Sequence, residues 1–321
     1  MATVFLNGRF VSQDDTRVSA FDAGLQHGVG LFETILGGID DDQNSWAFRL
    51  EAHLERLTDS ARLLGLSDQL RAAPLGQAVH RTIAESGLNR ARVRVTVTGG
   101  DLNLLGRRVA GTGERADESG PEVQPTILIV AQPATEYPPE MFDRGVVAAI
   151  ADLRINPLDP MAGHKTLTYW ARLRELRAAA ERHAGEALVF QVTNHLAGGC
   201  VSNAFVVKDG RLLTPIARGQ EAEPHAPTSR GVAVPSPVLP GITRAWAIEW
   251  AEARGIEVER RMLTIEDVLS ADEVFLTNSS WGVLPVVRVE KETIGGGGAG
   301  ELTSSARQGW LGAIEAASQS L

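Results

Sequence analysis

Apolar residues recur along this chain with two different periods, and the places where one gives way to the other mark its elements. Leu50, Leu54, Leu57, Ala61 and Leu64 follow one another at spacings of four, three, four and three, which predicts a helix over 49–64 with Gly65 as its stop. Arg49, His53, Arg56 and Ser60 repeat that spacing one residue earlier and form a polar stripe about 100° round the helix, on the border of its buried face. By spacing alone such a stripe reads as a solvated or salt-bridged face. A second helix is predicted over 75–86, ending at Gly87. The period then drops to two in Arg92-Val93-Arg94-Val95-Thr96-Val97-Thr98, a strand with three valines on one face and Arg94 on the other. If the second face lines a cleft, Arg94 holds a substrate carboxylate; if it faces water, Arg94 keeps the strand soluble.

The remaining pattern divides the chain in two. Strands around Asn7-Gly8 predict a β-hairpin over 3–11, and Gly28-Val29-Gly30 leads into a strand through Leu36. Residues 106–125 are glycine-rich and charged without a period, a long loop or insertion before the strand 126–130. The proline cluster in Pro133-Ala134-Thr135-Glu136-Tyr137-Pro138-Pro139 predicts a linker, with one domain at 1–132 and another at 140–321. In the second half, strands at 146–151, 187–190, 256–258 and 274–277 alternate with helices from Lys165 to about His183 and from Ile242 to a cap at Gly255. Asp209-Gly210 predicts another hairpin. The glycine run 295–298 lacks the Gly-Lys-Ser/Thr of a nucleotide loop and reads as a turn.

Composition narrows the function. The 321 residues, 43% of them hydrophobic, are enough for two cores. A balance of 31 basic against 40 acidic residues, net −9, argues against a general nucleic-acid or anionic-membrane binder while leaving room for a local basic pocket. Cys200 is the single cysteine and the seven histidines form no His-x-x-x-His pair, so neither a disulfide nor a metal site is expected. No apolar run reaches eighteen residues and the first residues lack a secretory pattern, which makes a cytoplasmic protein the expectation.

Chemistry gathers at a few points. Lys165, at the predicted opening of its helix, supplies an amine suited to attack on a carbonyl. Ile242-Thr243, opening a helix after Pro240-Gly241, offers free amides and a dipole that favour an anion. Ser279 adds a hydroxyl and Arg56 a charge, so the set points to a cofactor with both a phosphate and an aldehyde, pyridoxal phosphate.

With these residues in view, the sequence resembles the class IV aminotransferases, the fold-type IV pyridoxal-phosphate family of branched-chain and D-amino acid aminotransferases and 4-amino-4-deoxychorismate lyase. The supporting motifs, in order, are Phe5-Leu6-Asn7-Gly8, Gly30-Leu31-Phe32-Glu33-Thr34, His53-Leu54-Glu55-Arg56-Leu57, Lys165-Thr166-Leu167-Thr168-Tyr169, Ser202-Asn203-Ala204-Phe205, Leu239-Pro240-Gly241-Ile242-Thr243-Arg244 and Ala271-Asp272-Glu273-Val274-Phe275-Leu276-Thr277-Asn278. The resemblance implies an α+β, two-domain protein, with a small N-terminal α/β domain and a larger C-terminal β-barrel-like domain carrying helices. It implies that Lys165 forms the internal Schiff base and moves the α-proton, that Arg56, Ile242, Thr243 and Ser279 hold the phosphate, and that Tyr169 lies beside the cofactor ring. Phe32, Thr34 and Arg94 would face a small amino substrate, and the protein would be a homodimer. One departure stands out: the family's glutamate that pairs with the pyridine nitrogen falls at Gly198, and no carboxylate lies within two positions of it in sequence. The loop Asn278-Ser279-Ser280-Trp281-Gly282-Val283-Leu284-Pro285-Val286 resembles that of the aminodeoxychorismate lyases and Thr166-Leu167-Thr168-Tyr169 that of the aminotransferases, and the expectation leans to a 4-amino-4-deoxychorismate lyase-like activity with a branched-chain-type aminotransferase a close second. The competing expectation is a non-catalytic member that keeps the fold as a binding module.

Overall fold

The computed structural model describes residues 3–101, 124–221 and 234–319. The 106–125 insertion expected from sequence therefore lies almost wholly outside the described residues. Two compact units emerge, one of Met1–Ala134 with Lys165–Thr168, the other of Thr135–His164 with Tyr169–Ser320.

The first unit is a six-stranded sheet in the order β2-β1-β6-β5-β3-β4, built from β1 (Thr3–Leu6), β2 (Arg9–Ser12), β3 (Gly30–Ile39), β4 (Ser45–Ala47), β5 (Ala91–Thr98) and β6 (Ile127–Pro133). Asn7 and Gly8 both take positive φ, 48° and 83°, as a two-residue hairpin turn demands. The short α1 (Ala23–His27) precedes β3, and α2 (Leu50–Leu63) and α3 (Ala72–Ser86) pack on the sheet. Helix α3 starts three residues before the prediction because Pro74 sits in its first turn, where a missing N–H costs nothing. Strand β5 keeps strict alternation: Val93, Val95 and Val97 are fully buried, while Arg92 and Arg94 are exposed.

Of the two readings of the polar stripe of α2, the salt-bridged one holds: His53 and Arg56 both pair with Glu33. His53 and Ser60 are buried, and β3 presents the Glu33 carboxylate to His53.

The second unit is a nine-stranded sheet. Its main path runs β12-β11-β10-β13-β14-β7-β8-β9, and β15 (Glu292–Thr293) pairs with β14. The strands are β7 (Val146–Ile155), β8 (Glu186–Gln191), β9 (Leu196–Gly199), β10 (Asn203–Lys208), β11 (Arg211–Thr214), β12 (Val258–Arg260), β13 (Glu273–Asn278) and β14 (Gly282–Val289). Helices α4 (Glu140–Asp143), α5 (Trp170–Glu181), α6 (Ile242–Glu252), α7 (Ile265–Leu269) and α8 (Glu301–Gln319) belong to the same unit. Val146, Leu188, Val206, Leu276 and Leu284 share one large apolar core drawn from these strands. The glycine run behaves as a turn, and the amides of Leu302 and Thr303 that open α8 donate to the Glu273 carboxylate. That helix end carries its own anion.

One expectation fails here: Lys165 does not open a helix. Phe32 N donates to Lys165 O at 2.9 Å and Leu167 N donates to Gly30 O at 2.9 Å, so residues 165–168 lie against the start of β3 as a short strand-like segment. The helix begins only at Trp170. These backbone groups find sheet partners, and that outweighs the apolar spacing that continues into the helix.

Two glycines test the packing in opposite senses. A Cβ at Gly38 would collide with the Asn89 carbonyl oxygen, whereas exposed Gly312, inside α8, has open space around it. Gly38→Ala should lower stability by about 1–3 kcal/mol. Gly312→Ala should raise it by about 0.5–1 kcal/mol. Urea unfolding reads both; a wild-type midpoint for Gly38→Ala would refute the close approach.

Candidate active site

Strand β3 sends successive side chains to opposite faces, and in the first unit this alternation builds two adjoining groups. Phe32 points to one face. Its ring centroid lies 4.4 Å from Lys165 Nζ and 3.8 Å from Arg94 Cζ. Thr34 shares that face, directly opposite Arg94 in the β3–β5 pairing. The aromatic ring gives two cations a favourable surface without neutralising either.

Glu33 points the other way and is 1% exposed. Its Oε1 accepts from Arg56 Nε at 2.8 Å and its Oε2 from Arg56 Nη2 at 2.8 Å, a bidentate pair. His53 Nδ1 lies 2.8 Å from the same Oε2 and therefore carries the proton it shares. Burial by itself would raise the Glu33 carboxyl, but the Arg56 charge and the His53 hydrogen bond hold it well below the usual carboxylate range. Burial keeps His53 below its ordinary value, against the pull of Glu33, and the nearby charges of Arg56 and Lys165 add to that lowering.

In the second unit, Tyr169 directly precedes α5, and Arg172 lies 5.9 Å over its ring. Arg172 Nη1 also donates to the carbonyls of Gly199 and Cys200, at 3.2 Å each. Ile242 and Thr243 open α6, whose preceding residue Gly241 provides no side-chain cap and whose first turn holds no acidic residue. Thr243 is 3% exposed. Arg244, one position on and 1% exposed, donates to Thr214 Oγ1 at 3.1 Å and to Pro215 O at 2.8 Å. Burial, then the Arg260 charge, lower it to about 10, so it remains a cation at neutral pH, and among the described residues its partners are neutral. A helix start with no side-chain cap and no acidic residue in its first turn offers free amides that fit a phosphate. Ser279 follows Asn278, whose Oδ1 accepts from Ser280 N and Trp281 N and so shapes the turn that carries Ser279.

Two structural links come from the fold rather than from residue order. Asn203 joins three segments: its side chain donates to Leu239 O at 2.9 Å, it pairs with Thr277 across β10 and β13, and its Oδ1 fills the space a Cβ on Gly241 would need. The second is Glu186. No carboxylate stands near Gly198 in sequence, but β8 brings the fully buried Glu186 to the same turn. It accepts from Ala187 N at 3.0 Å, Cys200 N at 3.1 Å, Val201 N at 3.3 Å and Ser202 Oγ at 3.0 Å. Burial raises this carboxyl against those hydrogen bonds. Its oxygens serve the turn itself. Gly198 takes φ +138°, and a Cβ there would lie 2.7 Å from Ser202 O. The position expected to carry a glutamate is thus shaped for glycine. Cys200 is buried within this group; burial, then the Glu186 charge, push its thiol up to about 12, so it is a core residue.

Comparison with known proteins places this arrangement. The family model described as amino-transferase class IV matches residues 30–289. A putative branched-chain-amino-acid aminotransferase of Methanocaldococcus jannaschii is 30% identical over 95% of this chain and 94% of its own length. The crystal structure of the Escherichia coli branched-chain amino acid aminotransferase superposes with a TM-score of 0.81 at 26% identity, covering 97% of this chain and 93% of the other. That of 4-amino-4-deoxychorismate lyase from Pseudomonas aeruginosa gives 0.74 at 25% identity, covering 96% and 98%. The chain belongs to the class IV aminotransferase family. It has that family's two-domain α+β fold of type IV, and it is a pyridoxal-phosphate enzyme of the transaminase or lyase kind.

The buried Glu33 group makes an acid-stability prediction. A carboxyl depressed by folding contributes stability that is present above its unfolded pKa of about 4.3 and lost as pH falls through its folded value. Glu33→Gln should cost about 3–5 kcal/mol at pH 7 by leaving Arg56 without its carboxylate. Its stability should then fall less steeply than wild type below about pH 4.3. Urea unfolding from pH 7 to pH 2 measures this; parallel acid limbs would contradict it.

Proposed function

We propose that this protein acts at the α-carbon of an amino acid, with Lys165 as both the amine that bonds the cofactor and the base that moves the α-proton. The observation that carries the reading is the pair of cations on Phe32: an amine 4.4 Å from the ring centroid and a guanidinium 3.8 Å from it, on a strand face that also bears Thr34. An amine next to an arginine suits a substrate that presents an α-carbon and a carboxylate together. Pyridoxal phosphate, when bound, supplies the aldehyde and an electron-withdrawing ring.

In this reading Arg56, Ile242, Thr243 and Ser279 hold the phosphate, and Tyr169 lies beside the ring. Phe32, Thr34 and Arg94 orient the substrate. The start of α6 supports the phosphate assignment, with free amides at the head of a helix that has no acidic residue in its first turn. Amino transfer is the preferred reaction, supported by the 30% identical relative that bears a branched-chain aminotransferase name. Lysis of aminodeoxychorismate is the second reading, favoured by the loop that bears Ser279 and by the lyase among the similar structures. Both begin with the same proton transfer at the α-carbon. A homodimer is part of the proposal: Trp170 is 84% exposed and Leu173 is 52% exposed, on one face of α5, an apolar surface that a second copy would cover.

The test begins with colour. The purified protein should absorb visible light as a bound aldehyde cofactor does, and borohydride should fix the cofactor on the Lys165 peptide, as read by mass spectrometry. Lys165→Ala should abolish fixation and lower turnover by at least about 10²–10⁴-fold. Glutamate formed from 2-oxoglutarate and branched-chain amino acids would support amino transfer, and pyruvate released from aminodeoxychorismate would support lysis. A colourless protein that takes up no added pyridoxal phosphate would refute the catalytic reading and leave the binding module.

A further inference from the structure

Arginine is a flexible side chain, and a phosphate site gains most from a guanidinium that is already oriented. In this protein the orientation comes from the acidic residue of β3. Glu33 engages Arg56 through Nε and Nη2, both at 2.8 Å, which sets the plane of the guanidinium as well as its position. The carboxylate is in turn held by His53 Nδ1 at 2.8 Å, and His53 and Arg56 lie three residues apart on the same helix, α2. Glu33 and His53 are each 1% exposed, so water does not compete for these contacts. A surface arginine would need no such arrangement.

We infer that Glu33 is a positioning residue: with His53 it holds Arg56 preoriented for an anionic phosphate ligand. The inference rests on the reading of Arg56 as a phosphate-binding residue and adds what makes that residue effective. Glu33 touches neither cofactor nor substrate and acts only through Arg56. Its charge also offsets one of the cations of the first unit, so the site attracts a phosphate without an excess of unpaired positive charge before the ligand arrives.

The test compares two probes on the full-length protein, pyridoxal phosphate and pyridoxal, which differ only in the phosphate. The ratio of their dissociation constants, followed by absorbance or fluorescence, measures phosphate recognition apart from turnover. Glu33→Gln should lower the preference for pyridoxal phosphate about tenfold. Its affinity for pyridoxal should stay near wild type. Glu33→Asp, which keeps the charge but withdraws it by one methylene, should fall between the two. If either folded variant weakens both probes equally, Glu33 has only a structural role and the inference fails. A wild-type protein that shows no preference for the phosphate would instead refute Arg56 as a phosphate residue. A measurement on the wild type removes dependence on folded variants: the Arg56 Nε–H should give a protected NMR resonance before any ligand is added. If that resonance appears only on addition of inorganic phosphate, the guanidinium is ordered by the ligand and the inference is wrong.

Discussion

A carboxylate sealed from water is tolerable only while its partners stay in place, and Glu33 ties β3 to α2 on those terms. The strand cannot slip by one residue without exchanging Glu33 for Phe32, which would bury an aromatic ring against Arg56 and turn the acid toward Lys165. The ion pair therefore fixes register as well as charge. Because β3 also receives the backbone of Lys165–Thr168, the same register decides where the lysine lies. Through neighbouring residues, one strand thus meets both the amine and the arginine.

Much of this was legible from residue order. The hairpin at Asn7-Gly8, the helix closed by Gly65 and the valine face of β5 follow from local rules, because each depends on neighbours in sequence. The lysine segment did not, since its strand-like form depends on a partner more than a hundred residues earlier. Nor did the polar stripe of α2 in full: its spacing allows a solvated or a salt-bridged face, and only the Glu33 carboxylate decides between them. Glu186 was hidden for a related reason. Residues 186 and 199 are distant in sequence, but strand pairing brings them to one turn.

The second unit treats positive charge differently from the first. Arg56 has a carboxylate, whereas Arg244 is buried against a hydroxyl and a carbonyl at the start of α6. Neutral acceptors satisfy its hydrogen bonds but leave its charge, so the helix dipole and the arginine act together on whatever occupies the first turn.

Gly198 carries a consequence for how this sequence can change. With φ at +138° and Ser202 O where a side chain would begin, the turn does not accept glutamate by a single exchange. A lineage that reached this backbone would have to reshape residues 198–203, and with them the contacts of Glu186, before an acidic side chain fitted there. Exchanging one residue is a small change in sequence, but here the conformation does not accommodate it alone.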